Sequence, residues 1–454
     1  MTPSSSYFST EPEPDISRVF LLTRLLCDND ATDDGCVNNK GNETNSEGRT
    51  TVTSNMTAGT TYTSSTPSLG WGSELKQSAS SSTATTRTPA ASSSSLSSIT
   101  DHTTYPLIRQ NDRVYLRDPE NPYPLPCDLP EIHRQTLRSL MLLRVFGAPF
   151  CNPQFSKAPP KRVLDLGCGS GLWSSMCHEY FAKKGHHDIS FTGLDIVSLA
   201  PDLRRQGVNW QFKHHDLRKS RLPFPDGYFD FVFMKDLGMC SFGSSNHESP
   251  LSEPLRVLKS GGILEVWDSD LVFRTLLPNP APAPGLSSKD QEVADATATY
   301  TFSSATPFAT PQNKYLQDYN SWVQKAFDER KLTAMPCATI GLSFTSEMDV
   351  FKSVDSRRIA IPLGEVRWER ETPTKNTGTS RRALSEDQLA LRQTALQTVI
   401  QMIESMEPLL MEASGKGRDE WDRWWAAMQG DLLQKGSLAS GECLEVSAWW
   451  GQKR

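Results

Sequence analysis

The chain has 454 residues, a formal net charge of −6 and a hydrophobic fraction of 37%. The acidic balance argues against a protein that holds nucleic acid by charge, because such binding needs a basic face, although a local basic patch stays possible. Its nine cysteines form no Cys-x-x-Cys pair, so neither a zinc site nor a disulfide framework is indicated. We therefore expect an intracellular protein, cytoplasmic or nuclear, and no apolar run approaches the length of a membrane span.

Residues 1–104 are predicted to be a disordered tail, with order beginning near Tyr105. The region is dominated by Ser, Thr, Asn and Gly, which bury too little apolar surface to offset the entropy cost of folding. Residues 16–26 form a short amphipathic segment, preceded by acids where a signal peptide carries basic residues. This segment is interpreted as a nascent helix, with a docking helix for a regulatory protein partner as the alternative.

A helix is predicted over residues 131–146, immediately before the first strand of the main domain. Its apolar residues recur on roughly one side, and Asp128 is a suitable N-cap. Two roles stay open for this helix: it covers a ligand pocket, or it serves only for packing.

The most informative stretch is Arg162 to Trp173, RVLDLGCGSGLW. A short apolar run over 163–166 predicts a buried strand. A loop with glycines at 167, 169 and 171 follows, and a helical pattern begins at Leu172. Glycine lets a ligand press against bare backbone, and a helix start offers unpaired N–H groups. This order predicts a nucleotide site, with a chance glycine turn as the alternative.

The glycine spacing restricts the kind of nucleotide. A dinucleotide fingerprint has the form G-x-G-x-x-G, whereas this loop has G-x-G-x-G and lacks the Lys-Ser/Thr of a P-loop. Asp165 precedes the loop, where a carboxylate would repel a phosphate and attract an ammonium group. The sequence therefore favours a nucleoside that carries an amino group over a pyrophosphate.

Two further acids end predicted strands. Asp195 closes a strand over 189–196 and lies 24 positions after Gly171, near the spacing at which an acid accepts hydrogen bonds from ribose hydroxyls. Asp216 closes a strand in which Val208, Trp210 and Phe212 alternate, and it is placed to accept from an adenine amino group. The alternative for Asp195 is a solvated loop acid.

The chain continues with a turn followed by a strand within 222–234, a helix over 251–259 that Ser260-Gly261-Gly262 stops, and a strand over 263–267. The pairs His186-His187 and His214-His215 have no fixed third ligand in the sequence, so no metal site is predicted.

Three motifs together carry a family resemblance. The D-x-G-x-G-x-G loop, LPFPDGYFDFVF from Leu222 and EPLRVLKSGGILEVW from Glu253 resemble the class I S-adenosylmethionine-dependent methyltransferases. The resemblance implies an α/β, Rossmann-like, doubly wound sheet with a cofactor core over 160–270 and S-adenosyl-L-methionine as the cofactor. The cofactor-binding residues that we predict are Asp165, Gly167, Cys168, Gly169, Gly171, Asp195, Ile196, Asp216, Leu217 and Lys235.

Beyond Asp270 the chain is longer than a minimal methyltransferase. The pattern predicts a loop to Gln312, a helix over 314–332, a strand over 358–364, a helical insertion over 384–435 and a last strand over 442–450. The insertion and the helix over 131–146 are the two candidates for covering the cofactor's methyl group. Tryptophans 421, 424 and 425 in the insertion are expected to serve mostly packing, with an apolar acceptor pocket as the alternative.

A narrower resemblance extends over residues 105–454. Four features resemble the fungal velvet-associated LaeA-like methyltransferases, regulators of secondary metabolism: Tyr123-Pro-Leu-Pro-Cys-Asp128, the Ile361-Pro-Leu-Gly364 strand, the helical insertion and the C-terminal strand. The chain departs from that pattern at Lys235 to Cys240, KDLGMC. Two functions follow: an enzyme that methylates a small molecule or a protein, or a regulatory protein that binds the cofactor with little turnover.

No catalytic residue is assigned, because the methyl sulfonium is already activated and alignment supplies most of the rate. Asp236, Asp268 and Asp270 follow strands where a base would stand. For each of them a structural or cofactor-side role is the expectation.

Overall fold

The computed structural model describes residues 107–117, 123–218, 221–240, 249–370 and 383–454. The predicted disordered tail over 1–104, including its segment 16–26, lies outside the described residues.

A hairpin and a helix precede the main sheet. The hairpin consists of β1 (Leu107–Gln110) and β2 (Arg113–Leu116), and the helix is α1 (Leu129–Phe146). Asp128 caps α1 by accepting the Glu131 N–H at 3.2 Å, and Gly147 ends it with a φ of 74°. The predicted helix and its N-cap are confirmed, although the helix begins two residues earlier than expected.

Five parallel strands form the centre of the main sheet in the order β5-β4-β3-β6-β7. The order reverses between β3 and β6, as in doubly wound nucleotide-binding sheets, and ligands bind at such switch points. The strands are β3 (Arg162–Leu166), β4 (Ser190–Asp195), β5 (Asn209–His214), β6 (Phe229–Lys235) and β7 (Leu258–Ser269). The connecting helices are α2 (Leu172–Ala182) and α3 (Ser252–Val257).

Antiparallel strands extend the sheet beyond β7. The long strand β12 (Glu442–Lys453) pairs with β7 and with β11 (Phe351–Pro362). Three short strands lie at the same side: β8 (Arg274–Leu276), β9 (Tyr300–Thr301) and β10 (Phe308–Ala309). This arrangement confirms the predicted α/β, Rossmann-like fold class, with the helical insertion placed before the last strand.

The remaining helices lie C-terminal to the parallel strands. They are α4 (Ser288–Thr297), α5 (Lys314–Glu329), α6 (Pro336–Ser346), α7 (Arg367–Arg370), α8 (Glu386–Ser405), α9 (Glu407–Ser414) and α10 (Arg418–Leu432). A capping box at Ser385 and Gln388 starts α8, which packs along α1. The predicted insertion over 384–435 thus corresponds to α8, α9 and α10.

Three predicted boundaries were wrong. The helix expected over 251–259 ends at Val257, because Leu258 already belongs to β7. Gly261 has the expected positive φ of 78° but lies within β7, next to a register shift against β6. The loop expected up to Gln312 contains β8, α4, β9 and β10, and β11 begins seven residues before the expected strand start, because its first half is largely exposed and carries polar residues.

The core lies between the parallel strands and the helices on either side. Phe231, Val232 and Phe233 of β6 are fully buried. Trp173 of α2 stacks on Phe233 with 3.8 Å between ring centroids, which fixes the helix that follows the glycine loop against the sheet. Among the helices of the described ranges, none has both the length and the apolar character needed to cross a membrane.

Candidate cofactor-binding site

A cavity lies at the carboxyl ends of the parallel strands, at the switch point between β3 and β6. Seven of the ten predicted cofactor-binding residues line it. These are Gly167, Gly169, Asp195, Ile196, Asp216, Leu217 and Lys235. The fold thus brings together residues from the ends of four strands, as the positions of the strand-end acids predict.

The glycine loop turns tightly against its neighbours. Gly167 and Gly169 have φ values of 67° and 51°. A Cβ added to Gly167 would lie 2.5 Å from Leu237 Cδ2, and one added to Gly169 would lie 3.2 Å from Gln135 Oε1. The loop therefore fits between α1 and the residues after β6 only as bare backbone, which leaves its peptide groups accessible to a ligand.

Asp195 connects β4 to the glycine loop. Its Oδ2 accepts the Gly169 N–H at 2.8 Å, and its Oδ1 accepts the Val197 N–H at 3.2 Å. Burial raises the pKa of this carboxyl, although the backbone donors oppose that effect. A carboxylate has about four acceptor positions, so acceptor capacity remains on both oxygens for the two hydroxyls of a ribose.

Asp216 is held by an arginine that the sequence analysis did not single out. Its carboxylate accepts the Arg218 backbone N–H at 3.0 Å and the guanidinium Nε at 2.9 Å and Nη2 at 3.0 Å. Both side chains line the cavity. The Asp216 carboxylate is thus fixed at the end of β5, at the far edge of the parallel strands.

Beyond β6, Asp236 joins the sheet to α1. Arg138 of α1 donates to its two oxygens at 2.9 and 2.6 Å, and Lys235 Nζ donates at 2.9 Å. Burial raises the pKa of Asp236, but the two cations hold it far below the usual range. Its φ of 56° lies in the left-handed region, which aspartate adopts more readily than most non-glycine residues. An aspartate engaged in this way is a poor base.

The other two candidate bases do not line this cavity. Asp268 accepts the N–H groups of Gly238 and Ser269, both at 2.8 Å, and burial together with the Asp236 charge raises its pKa. Asp270 accepts the Cys337 N–H at 3.1 Å. Both acids hold backbone in place, as expected for structural residues.

Asp165, Cys168 and Gly171 do not line the cavity. Asp165 is buried and accepts the Ser174 hydroxyl at 2.7 Å, Cys168 packs beside Gly193, and Gly171 is the N-cap of α2. These residues shape the loop. The predicted contact of Asp165 with an ammonium group stays a prediction.

Several cavity residues were not predicted from the sequence. They include Tyr123, Leu125, Pro126 and Cys127 before α1, Arg134 and Gln135 of α1, and Met239 and Cys240 after β6. Arg134 was missed because a polar residue on an amphipathic helix suggests the solvent face, whereas its exposed fraction is 3%. The prolines of the Tyr123 segment were noted, but nothing in their pattern indicated a cavity.

The helical insertion does not reach this cavity in the described part of the chain. Trp421 and Trp424 pack against Trp322 of α5, and Trp424 Nε1 donates to Asp318 at 2.9 Å. The structure thus gives these tryptophans the packing role that was expected for most of them. The substrate-side position predicted for residues 384–435 stays a prediction.

Within the described ranges, no group of three or more His, Cys, Asp or Glu side chains is arranged to hold a metal ion. The chemistry of the cavity instead suits a nucleoside with hydroxyl and amino donors, because carboxylates and bare backbone line its wall.

Comparison with known proteins supports this assignment for the cofactor core. Residues 163–262 match the family described as "Methyltransferase domain". A "Ubiquinone/menaquinone biosynthesis C-methyltransferase UbiE" of Vibrio vulnificus is 31% identical over 111 residues, which are 24% of this chain and 42% of that protein. A "Demethylmenaquinone methyltransferase" of Listeria welshimeri is 34% identical over 116 residues, which are 24% of this chain and 44% of that protein. The chain thus spans less than half the length of these relatives.

Solved structures show a weaker similarity to this chain. A phosphoethanolamine N-methyltransferase of Haemonchus contortus, in complex with S-adenosylhomocysteine, has 12% identity and a TM-score of 0.31 over 70% of this chain and 57% of that one. The plantazolicin methyltransferase BpumL, also with S-adenosylhomocysteine, has 13% identity and a TM-score of 0.31 over 72% and 88%. The family match and the sheet order lead to one conclusion: residues 163–262 form a class I methyltransferase domain, whose cofactor is S-adenosylmethionine.

Proposed function

We propose that this protein is an S-adenosylmethionine-dependent methyltransferase that transfers a methyl group to a small molecule or a protein. One observation carries the proposal: the glycine loop, Asp195 and Asp216 follow three adjacent parallel strands and line one cavity. The cofactor supplies an activated methyl sulfonium. The chain's own task is to align the acceptor and exclude water.

In this proposal the cofactor lies along the carboxyl edge of the sheet. Asp195 accepts hydrogen bonds from the ribose hydroxyls, and Asp216 fixes the adenine end. Ile196 and Leu217, which line the cavity beside these acids, pack against the nucleoside. The bare backbone of Gly167 and Gly169 lets the amino-acid part pass between β3 and α1.

The acceptor is proposed to be a small, largely apolar molecule. The cavity wall also includes the apolar side chains of Leu116, Leu125 and Met239, together with Tyr123 and Cys240. Such a mixture of apolar side chains and few polar groups suits a small-molecule site. Both bacterial relatives are named for quinone methylation, so an aromatic ring is the first acceptor to test.

The second candidate function is a LaeA-like regulator of secondary metabolism with little turnover. It is favoured by the segment from Tyr123 to Cys127, part of that resemblance, which lies on the cavity wall. A regulatory protein partner and an intracellular location, cytoplasmic or nuclear, belong to both candidate functions as proposals. A fluorescent fusion expressed in the source organism would test the location.

Calorimetry with S-adenosylmethionine, S-adenosylhomocysteine and NAD tests the cofactor assignment. We expect binding of the first two and none of NAD, whereas tight NAD binding would contradict the proposal. Turnover is tested by comparing the metabolites of a deletion strain complemented with wild type or with Asp195→Ala, using methyl-labelled cofactor. A methylated product lost in both the deletion and the Asp195→Ala strain supports the enzyme. If no methylated product is lost in the deletion strain while its secondary metabolism changes, the second candidate, a regulator with little turnover, is supported.

A further inference from the structure

We propose that Arg134 binds the carboxylate of the cofactor's methionine part through Nη1, and that Glu131 and Ser405 hold its guanidinium in position. The inference rests on the proposed function, since it assigns one more contact to the same cofactor.

The order of strands along the cavity sets the direction of the cofactor. Asp216, Asp195 and the glycine loop follow β5, β4 and β3, three neighbours in the sheet. Adenine, ribose and the amino-acid part are joined in that same order in the cofactor. With adenine near β5 and ribose at β4, the amino-acid part must extend across β3 toward β6 and α1.

Arg134 lies on the part of α1 that meets this end of the cavity. It lines the cavity, and its neighbour Gln135 reaches the glycine loop, with Oε1 3.2 Å from a Cβ placed on Gly169. The Arg134 side chain is 4% exposed. A guanidinium buried at this position is close to where a terminal carboxylate of the cofactor would lie.

Of the cationic side chains that line the cavity, Arg134 is the best-placed donor to a ligand carboxylate, because the other two are paired with aspartates. Arg218 is engaged by Asp216, and Lys235 donates to Asp236. Arg134 donates Nε and Nη2 to Glu131 at 2.9 and 2.6 Å, whereas its Nη1 has no hydrogen-bond partner among the residues that the structure describes. That N–H group is available for a carboxylate, and charge-assisted bonds of this kind are the strong ones.

Glu131 fixes the position of the Arg134 guanidinium, and Ser405 in turn fixes Glu131. The Glu131 carboxylate also accepts Gln135 Nε2 at 3.1 Å and the Ser405 hydroxyl at 2.9 Å. Burial lowers the pKa of Arg134, but Glu131 raises it overall, so the guanidinium stays charged. Since Ser405 belongs to α8, the helical insertion supports the cavity through this contact without lining it.

The test compares S-adenosylmethionine with its decarboxylated analogue, which lacks only the carboxylate, by calorimetry on the full chain. Wild type should bind S-adenosylmethionine more tightly than the analogue. Arg134→Gln should weaken S-adenosylmethionine binding about 10- to 100-fold and change binding of the analogue less than about threefold, the range expected for a hydrogen bond to a charged group. Arg134→Lys keeps a charge beside Glu131 and should lose part of this preference.

The positioning residue Ser405 and a control residue are tested with the same measurement, the ratio of the affinities for S-adenosylmethionine and its decarboxylated analogue. Ser405→Ala should reduce the preference for the carboxylated ligand by a few-fold, and Arg144→Gln, at an exposed position in the last turn of α1, should leave it unchanged. The inference is overturned if Arg134→Gln and Arg134→Lys keep the wild-type preference, or if Lys235→Met alone abolishes it. If wild type binds neither ligand, the proposed function itself fails.

Discussion

Gly169 donates its backbone N–H to the Asp195 carboxylate, with 2.8 Å between N and Oδ2. This bond joins the loop after β3 to the end of β4. It gives Asp195 two tasks, because the carboxylate that is proposed to bind ribose also fixes the shape of the loop beneath the amino-acid part of the cofactor. A change at either residue is therefore expected to affect the other.

Asp195→Ala should weaken S-adenosylmethionine binding about 10- to 100-fold, corresponding to about 1.5–3 kcal/mol for a charged hydrogen bond. The variant removes the acceptor for the ribose hydroxyls and leaves the Gly169 N–H without its partner. Calorimetry measures the effect. The matched control is Asp202→Ala, at an exposed acid that accepts hydrogen bonds from the backbone and side chain of Arg204. Equal affinity of Asp195→Ala and wild type would exclude Asp195 as a cofactor residue.

Gly169→Ala should lower both stability and cofactor affinity. The φ of 51° is unfavourable for alanine by about 1–2 kcal/mol, and the new methyl group would press on Gln135 Oε1 at 3.2 Å. Gly207→Ala is the control, because Gly207 has a φ of 83° with nothing within 4 Å of the added Cβ. Thermal melts should show a loss of stability in both variants, while calorimetry should show weaker cofactor binding only for Gly169→Ala. Weaker binding in both would point to a general effect of instability.

The cofactor half of the site was predictable from the sequence because its signals are local. A short apolar strand, a glycine loop and an acid at a strand end each occupy a few consecutive residues, and parallel strands bring their carboxyl ends to one edge of a sheet. For this reason Gly167, Gly169, Asp195 and Asp216 were found to line one cavity.

The rest of the cavity depends on contacts between distant parts of the chain. Arg134 is polar on an amphipathic helix, and only its pairing with Glu131 and the packing of α1 on the sheet explain its burial. The contact of Ser405 with Glu131 joins residues 274 positions apart. No short motif carries such information.

The stability of Asp165→Asn should depend on pH differently from that of wild type. Burial raises the pKa of the Asp165 carboxyl from 3.8 to about 7. The native state then keeps a proton that the unfolded chain releases, so this residue's contribution to the free energy of unfolding falls as pH rises from about 4 to about 7. Asparagine does not titrate and can still accept the Ser174 hydroxyl. The variant should therefore gain stability relative to wild type across this window, by at most about 1.4 kcal/mol per pH unit.

Chemical unfolding of both proteins at pH 5 and pH 8 measures this difference. Both proteins should lose some stability between these pH values because of Glu265. Its carboxyl is fully buried, and burial raises its pKa to about 7. Asp202→Asn at an exposed acid is the control and should follow wild type. An unchanged difference between Asp165→Asn and wild type at the two pH values would show that Asp165 is ionised throughout.

Trp424→Ala should reduce the free energy of unfolding by about 3–5 kcal/mol, as for other buried tryptophans, while the folded variant binds S-adenosylmethionine as wild type does. Trp424 packs on Trp322 and Trp421 with 4.6 and 5.1 Å between ring centroids, and neither it nor these neighbours line the cavity. Trp425→Ala, at a half-buried neighbour, should cost less. Denaturant melts and calorimetry below the melting temperature separate stability from binding. Loss of cofactor binding in folded Trp424→Ala would mean that the insertion communicates with the cavity through α10, and not only through Ser405 of α8.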